Sequence, residues 1–300
     1  MSATQSQVVQ VPGQTVALLR PGAPASGVFA CTRKDRLMTK TGSPYLALEL
    51  RDRTGAIQAR AFRDADALAG RFERGDLVRV AGRVERFRDE LVLELGEIER
   101  VDPGADVDPS AFLPTAYRDL DELEGFLEHL AGMVYDRPYR TLLEQLLADA
   151  ELRAAWRRAP CRRSGHHAYL GGLLEHTVAV TTLAQELCQL HPRLNCDLLL
   201  TAAITHDLGR TREFTYGAEL GLTEEGRLLG HLVIGERLVS ERAGSLDAER
   251  RLSLLHCLLS HHGPSTVPGG RFHSPEALAL YRLNALDAGV KGAFEGGLGG

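Results

Sequence analysis

The chain has 300 residues, of which 44% are hydrophobic and 25% are charged, and its formal net charge is −5. This balance is typical of a soluble globular protein with one large or two ordinary domains. The acidic excess excludes a globally basic surface, so any binding of nucleic acid must depend on local patches. The five cysteines form no CxxC pair, and no signal peptide or membrane span is apparent. These features predict a cytoplasmic protein without a membrane partner.

The first third of the chain reads as β structure. Residues 12–102 alternate apolar and polar positions and contain frequent turn residues. Five strands with short turns predict a small barrel or sandwich. The predicted strands cover residues 26–35, 45–50, 56–62, 76–87 and 90–101.

The rest of the chain reads as helical. Residues 103–117 belong to a stretch rich in proline, glycine and aspartate that predicts a linker. Residues 118–292 space their apolar positions three and four apart, and residues 293–300 are predicted to be a disordered tail. The predicted fold class is therefore multidomain, a β domain followed by an all-α domain. The predicted helices cover residues 119–134, 139–156, 167–190, 196–208, 224–242, 247–261 and 275–290.

Ten of the eleven histidines lie between residues 166 and 273. Four predicted helices each place histidine at or near an apolar face. Asp207 directly follows one of these histidines, His206. A single such histidine is usually a satisfied core residue, but a buried carboxylate with four such sites favours shared metal binding. The residues concerned are His176, His206, Asp207, His231, His261 and His262.

The order of these residues is similar to that of the metal-dependent HD phosphohydrolase superfamily. Four phrases extend the similarity: HHAYLGGLLEHT (166–177), HDLGR (206–210), LTEEGRLLGHL (222–232) and LLSHHG (258–263). With KTGSPYLALELRDRTGAIQARAF (40–62) in front, the chain resembles the YhaM family of 3′–5′ exoribonucleases over roughly residues 12–292. The resemblance implies an N-terminal OB-fold-like β-barrel at 12–102 and an all-helical HD domain at 118–292.

The resemblance also implies a ligand set. His176, His206 and Asp207 would hold one ion, and His231, His261 and His262 would complete the second, with Asp207 as the bridge. Imidazole and carboxylate donors suit Mn, Fe, Co, Ni or Zn, and the family resemblance favours manganese. Two positions depart from the family pattern. Arg210 stands where a lysine is typical, and it keeps the charge and could hold a phosphate.

The second departure concerns the last ligand. Asn284 stands at the expected aspartate, and Asp287 follows on the same helical face. Three readings stay open. Asn284 could coordinate through its carbonyl, Asp287 could take its place, or the site could be impaired.

Other residues are candidates for substrate binding. His166 and His167 could bind the scissile phosphate or donate a proton, or could simply pair at a helix start. Residues 137–163 hold seven arginines against three acidic residues, and Arg157, Arg158, Arg162 and Arg163 lead into His166. Tyr45 and Phe87 could stack on bases, whereas Phe62 is predicted to lie in the barrel core.

The leading hypothesis is a metal-dependent 3′–5′ exoribonuclease that acts on single-stranded RNA, with single-stranded DNA as an alternative polymer. One alternative is a phosphohydrolase of small nucleotides. Another is a non-catalytic single-strand binder with an impaired HD site. A homo-oligomer is compatible with the sequence, which does not require one.

Overall fold

The computed structural model describes residues 14–88, 90–101 and 109–296. Contacts divide the chain into two compact units. The first unit spans the described residues up to Pro114 together with Tyr216–Leu220, and the second holds the remainder. The predicted linker lies partly outside the described residues, and its described part begins with a short 3-10 helix, Pro109–Phe112.

The first unit is a closed five-stranded barrel with the strand order β1-β2-β3-β5-β4. Its neighbours pair antiparallel except β3 and β5, which are parallel over Gln58–Arg60 and Val92–Glu94. Alternate residues of each strand fill the interior, as the period-2 pattern predicts. The OB-fold-like barrel is thereby confirmed. The strands are β1 (Pro24–Met38), β2 (Pro44–Asp52), β3 (Gly55–Ala61), β4 (Leu77–Phe87) and β5 (Glu90–Val101), with a short helix α1 (Ala65–Ala69) after β3.

The second unit is helical, as predicted, and its helices are interrupted by one small hairpin whose central residues, Tyr216–Leu220, belong to the first unit. The helices are α2 (Leu120–Gly132), α3 (Arg137–Ala148), α4 (Ala150–Arg158), α5 (Gly172–Leu190), α6 (Cys196–Thr205), α7 (Arg210–Glu213), α8 (Glu224–Leu228), α9 (Gly230–Ser240), α10 (Ala248–Ser260) and α11 (Pro275–Gly296). The hairpin strands are β6 (Phe214–Tyr216) and β7 (Leu220–Leu222).

Several helix boundaries differ from the prediction. The helix expected at 139–156 breaks at Asp149, whose side chain caps α4 by accepting from the Leu152 amide. The helix expected at 224–242 breaks at Gly230, which has a φ of +70°. The last helix continues to Gly296, so residues 293–296 are helical, not disordered, and residues 297–300 lie outside the described residues.

Helix α6 is the centre of the second unit. It is apolar on every side, and α5, α10 and α11 all contact it. A helix that is hydrophobic all round is normally a buried one, and Leu198–Thr205 are buried throughout. Of the helices in the described ranges, none has both the length and the apolar character needed to span a bilayer.

Candidate metal centre

The carboxyl end of α6 carries the histidine–aspartate pair into the interior. His206 and Asp207 are only 1% and 2% exposed. His176 of α5 faces them, with its Nε2 3.2 Å from His206 Nε2 and 3.9 Å from Asp207 Oδ2. The three residues predicted to hold one ion therefore lie together, and they form the first ligand group.

A second group of imidazoles faces the other oxygen of Asp207. His231 Nε2 of α9 and His261 Nε2, which follows α10, both lie 3.4 Å from Asp207 Oδ1. His262 Nε2 lies 2.8 Å from His231 Nε2. Asp207 thus faces one group with each oxygen, an arrangement that suits a bridging ligand.

Hydrogen bonds at Nδ1, the ring nitrogen that points away from Asp207, orient two of these rings. His206 Nδ1 donates to the Ala203 carbonyl at 2.8 Å, and His261 Nδ1 donates to the Leu258 carbonyl at 2.6 Å. Because a carbonyl can only accept, Nδ1 carries the proton and Nε2 of the neutral ring keeps a lone pair. Burial lowers the pKa of both histidines below the usual range, which favours the neutral rings. Proteins orient metal-binding histidines in this way.

The centre contains buried atoms that a cation would satisfy. Across the described ranges, Asp207 Oδ1 and His261 Nε2 have no hydrogen-bond partner. An unpaired buried polar atom costs about 1–3 kcal/mol. Ligands bound tetrahedrally at about 2.0–2.2 Å lie about 3.3–3.6 Å apart, close to the 3.4 Å between these two atoms. The donors present therefore fit a divalent transition metal.

We expect a chelator to lower the melting temperature of the protein and Mn²⁺ to restore it. An ion that binds only the folded state adds about 2.7 kcal/mol of stability at a hundredfold excess over its Kd. Thermal denaturation of chelator-treated protein measures the effect. Ca²⁺ is the control, because imidazole donors select against it. Equal stabilisation by Ca²⁺ would contradict the assignment of a transition-metal centre.

Helix α11 places its two candidate ligands on opposite sides of His176. Asn284 Oδ1 lies 3.0 Å from His176 Nε2, inside the first group. Asp287 Oδ2 lies 2.6 Å from His176 Nδ1, behind the ring. This geometry supports Asn284 as a ligand, and it supports Asp287 as the residue that orients His176.

The adjacent His166 and His167 lie in different surroundings. His167 is 1% exposed, and its two ring nitrogens lie 3.0 Å from Tyr169 Oη and 3.0 Å from Asp287 Oδ2. The φ of His167 is +53°, which is outside the helical range, so the helix predicted from residue 167 begins only at Gly172. These contacts favour the structural alternative for His167, because both of its ring nitrogens already have partners within the fold. His166 lines the cavity above the centre and keeps its candidate role.

Arg210 is buried between two carboxylates. Its Nε lies 2.7 Å from Asp207 Oδ2, and its Nη1 donates to Glu213 at 3.1 Å. Burial alone would raise the pKa of Asp207, but the charge of Arg210 holds that pKa well below its usual range. Asp207 is therefore ionised at neutral pH. These contacts indicate that Arg210 orients Asp207, and they do not favour the predicted phosphate clamp.

Glu213 is a site residue that the sequence did not reveal. Its Oε1 lies 3.5 Å from His231 Nδ1, on the side of the ring away from Asp207. It therefore connects Arg210 with a second-group ligand. The available signal was a glutamate three residues after Arg210, a spacing that brings two side chains together on a helix.

A cavity of about 430 Å³ opens above the centre. Its wall includes Arg162, His166 and Tyr281 beside the candidate ligands. Sites for small organic ligands are typically about 300–1,000 Å³. The cavity therefore has the size for one nucleotide.

The arginine-rich segment 137–163 carries less uncompensated positive charge than its sequence suggests, because two of its arginines pair with acidic side chains. Arg153 and Arg157 both pair with Glu124 of α2, and Arg157 also pairs with Asp121 at 2.5 Å. These contacts weaken the predicted nucleic-acid role of Arg157. Arg158 and Arg163 are exposed, and the exposed Arg162 lies nearest the centre, with its Nη1 3.5 Å from His166 Nε2.

The barrel presents aromatic rings on its surface. Phe62 is 44% exposed and stacks on Tyr45 with ring centroids 5.3 Å apart, so its predicted core position is wrong. The reason is its place after β3, where the side chain following the buried Ala61 points outward. Phe87 is 46% exposed, and the Arg60 guanidinium lies 4.4 Å from its ring centre. Aromatic rings beside arginines are typical of single-strand binding surfaces.

Gly209 fixes the approach of α9 to the histidine–aspartate pair. A Cβ at this position would lie 2.0 Å from the His231 carbonyl oxygen and 2.6 Å from the Gly235 nitrogen. The φ of Gly209 is −61°, so the requirement is for space and not for a left-handed backbone. This close approach places His231 beside Asp207.

Comparison with known proteins follows the same division into two units. The HD domain family matches residues 173–289, and the family described as an OB-fold nucleic acid binding domain matches residues 31–101. Among solved structures, the second OB-fold domain of replication protein A from Methanococcus maripaludis is 19% identical, covers 30% of this chain and 96% of its own, and gives a TM-score of 0.26.

Curated relatives match over most of their length. The 3′–5′ exoribonuclease YhaM of Bacillus subtilis is 30% identical over 259 residues, which cover 84% of this chain and 80% of the relative. The 3′–5′ exoribonuclease YhaM of Shouchella clausii is 29% identical over 283 residues, which cover 90% of this chain and 85% of the relative. With its OB-fold barrel and helical HD domain, this chain belongs to the YhaM family of 3′–5′ exoribonucleases.

Proposed function

We propose that this protein is a metal-dependent 3′–5′ exoribonuclease that hydrolyses single-stranded RNA to nucleoside monophosphates. The observation that carries the proposal is the pair of ligand groups on the two oxygens of Asp207. The family membership supports the reaction, and the barrel supports a polymeric substrate over a free nucleotide. Two ions per chain are proposed, with manganese as the ion that the family resemblance favours.

Ions held by these residues would polarise a phosphoryl oxygen and make bound water nucleophilic at neutral pH. The residues of the chain would hold the ions, orient the ligands and bind the substrate. Asp207 and the imidazoles fix the ligand geometry, while Arg210 and Glu213 hold two of the ligands in place. Arg162, which lines the cavity wall, would bind a phosphate. Burial lowers the pKa of His166 to about 4, so His166 is neutral in the resting protein, and its ring N–H can donate a hydrogen bond to a phosphate oxygen.

The test is direct. Purified protein with bound Mn²⁺ is incubated with 5′-labelled single-stranded RNA, and the products are separated by length. We expect progressive shortening from the 3′ end with release of nucleoside monophosphates. A metal-loaded protein that leaves the RNA intact would overturn the proposal.

Substrate class is resolved by the same assay with other substrates. Hydrolysis of free nucleotides with RNA left intact would favour the small-nucleotide phosphohydrolase. RNA binding without any hydrolysis would favour the non-catalytic binder. Single-stranded DNA of the same sequence tests the alternative polymer. The proposed location is the cytoplasm, in keeping with the five free cysteines.

Replacing Phe87 with alanine should weaken single-stranded RNA binding by about 5- to 150-fold, because one stacked base contributes about 1–3 kcal/mol. Fluorescence anisotropy with labelled oligoribonucleotides measures the Kd. Phe126→Ala is the matched control, since Phe126 is 44% exposed but lies in the helical unit. Equal loss of affinity in both variants would argue against a binding role for the barrel aromatics.

A further inference from the structure

The two ligand groups have different donors, although they share Asp207. The second group adds three imidazoles to the carboxylate: His231, His261 and His262. The first group adds two imidazoles, His176 and His206, and the amide of Asn284. If the proposed function holds, these groups bind two ions of the same charge with unequal ligands.

The orientation of Asn284 is fixed by the fold. The side chain is 8% exposed, and its Nδ2 donates to the His261 carbonyl at 3.3 Å. Its Oδ1 is thereby directed toward His176 Nε2. The reverse amide orientation would lose the bond to His261 and turn an NH₂ group toward the ligands. Asn284 therefore offers a neutral oxygen where a carboxylate would offer a full negative charge.

Among the described residues of α11, no other carboxylate replaces that charge in direct contact. Asp287 Oδ2 already accepts from His176 Nδ1 and from His167 Nε2. Nδ1 and Nε2 of one imidazole point in different directions, so Asp287 lies behind the ligand and not beside the ion. A neutral carbonyl attracts a dication less than a carboxylate does, and the two dications also repel each other across the shared Asp207.

We propose that Asn284 makes the His176–His206 position the weaker of two unequal metal positions. The protein then binds divalent ions in two separate steps. The first ion occupies the histidine-rich position at His231, His261 and His262 and is retained. The second ion occupies the Asn284 position and exchanges readily with the solvent.

Calorimetric titration of the metal-free full-length protein with Mn²⁺ tests the proposal without measuring activity. We expect two resolved binding steps, and one retained ion per chain after gel filtration in metal-free buffer. Asn284→Asp should tighten the weaker step by about tenfold or more, which is about 1.4 kcal/mol, and should leave the tighter step unchanged. Gel filtration of this variant should then retain two ions.

Ala288→Asp is the matched control. Ala288 is one turn further along α11 and also lines the cavity, so this variant adds the same charge away from the ligand position. We expect little change in either step. Equal tightening by both variants would overturn the proposal, because general attraction of cations would then be the cause.

Electron paramagnetic resonance of the wild-type protein gives a second readout, which does not require that any variant fold correctly. One equivalent of Mn²⁺ should give the spectrum of an isolated ion, and further Mn²⁺ should add a spin-coupled signal. A coupled signal already dominant at one equivalent, or two equal calorimetric steps, would overturn the inequality while leaving the two-metal function intact. Failure to bind any ion would overturn the proposed function itself.

Discussion

Asp207→Asn should remove at least one ion, weaken binding of the other, and lower RNA hydrolysis by about 10³-fold or more, equivalent to about 4 kcal/mol of transition-state stabilisation. Asp207 faces one ligand group with each oxygen. An asparagine side chain keeps only one oxygen, and its NH₂ group cannot coordinate a cation. The change therefore disables at least one position by geometry and weakens the other by loss of charge. Metal content per chain and the rate of RNA shortening measure the two effects.

The variant also removes one partner of the buried Arg210, so its fold needs a separate check by circular dichroism. Losing one partner of a buried ion pair can cost about 3–5 kcal/mol, although Glu213 remains within reach of Arg210. Asp35→Asn is the matched control, because Asp35 makes only a half-exposed ion pair with Arg33 on the barrel. A folded Asp207→Asn protein that retains two ions would show that Asp207 does not bridge them.

Gly209→Ala should destabilise the protein by about 1–3 kcal/mol, the usual cost of overpacking, and should reduce metal binding at the His231 position. The added methyl group would meet backbone atoms of α9, which cannot rotate away as a side chain can. Relief requires α9 to move and to carry His231 away from Asp207. Denaturant-induced unfolding and metal content measure the two consequences together.

Gly289→Ala provides a control of opposite sign. A Cβ at Gly289 meets nothing within 4 Å, and the residue lies in α11. Alanine is favoured over glycine in a helix by about 1 kcal/mol, so this variant should be slightly more stable than the wild type. If Gly209→Ala behaved like Gly289→Ala, the close packing of α9 against Gly209 would not be needed for the site.

The pair His206–Asp207 could be found from the sequence because a buried apolar helix ended in a carboxylate. Burial without a partner is costly, and the clustered histidines supplied the partner. The barrel strands were equally accessible, since alternation in a strand depends only on neighbouring residues. These predictions required local pattern alone, and for that reason they agree with the structure in type and order.

Features that depend on how distant segments meet were not accessible. Neither spacing nor composition shows that Asp287 contacts His167, 120 residues earlier, or that α2 supplies acidic partners to Arg157. The choice between Asn284 and Asp287 was open because both lie on one helical face. Only the direction from which His176 approaches α11 distinguishes them. Phe62 was misplaced because one residue at a strand end decides which side of the sheet a side chain faces.

The closed barrel has a consequence for how this protein meets other chains. A sheet with a free edge offers a row of unpaired backbone groups that another strand can join, and such edges promote aggregation. Within the described residues of the barrel, every strand has a neighbour on each side. A polymer that lies across the barrel would contact its side chains and loops. The described barrel therefore leaves no strand fully free to pair with a strand of another chain.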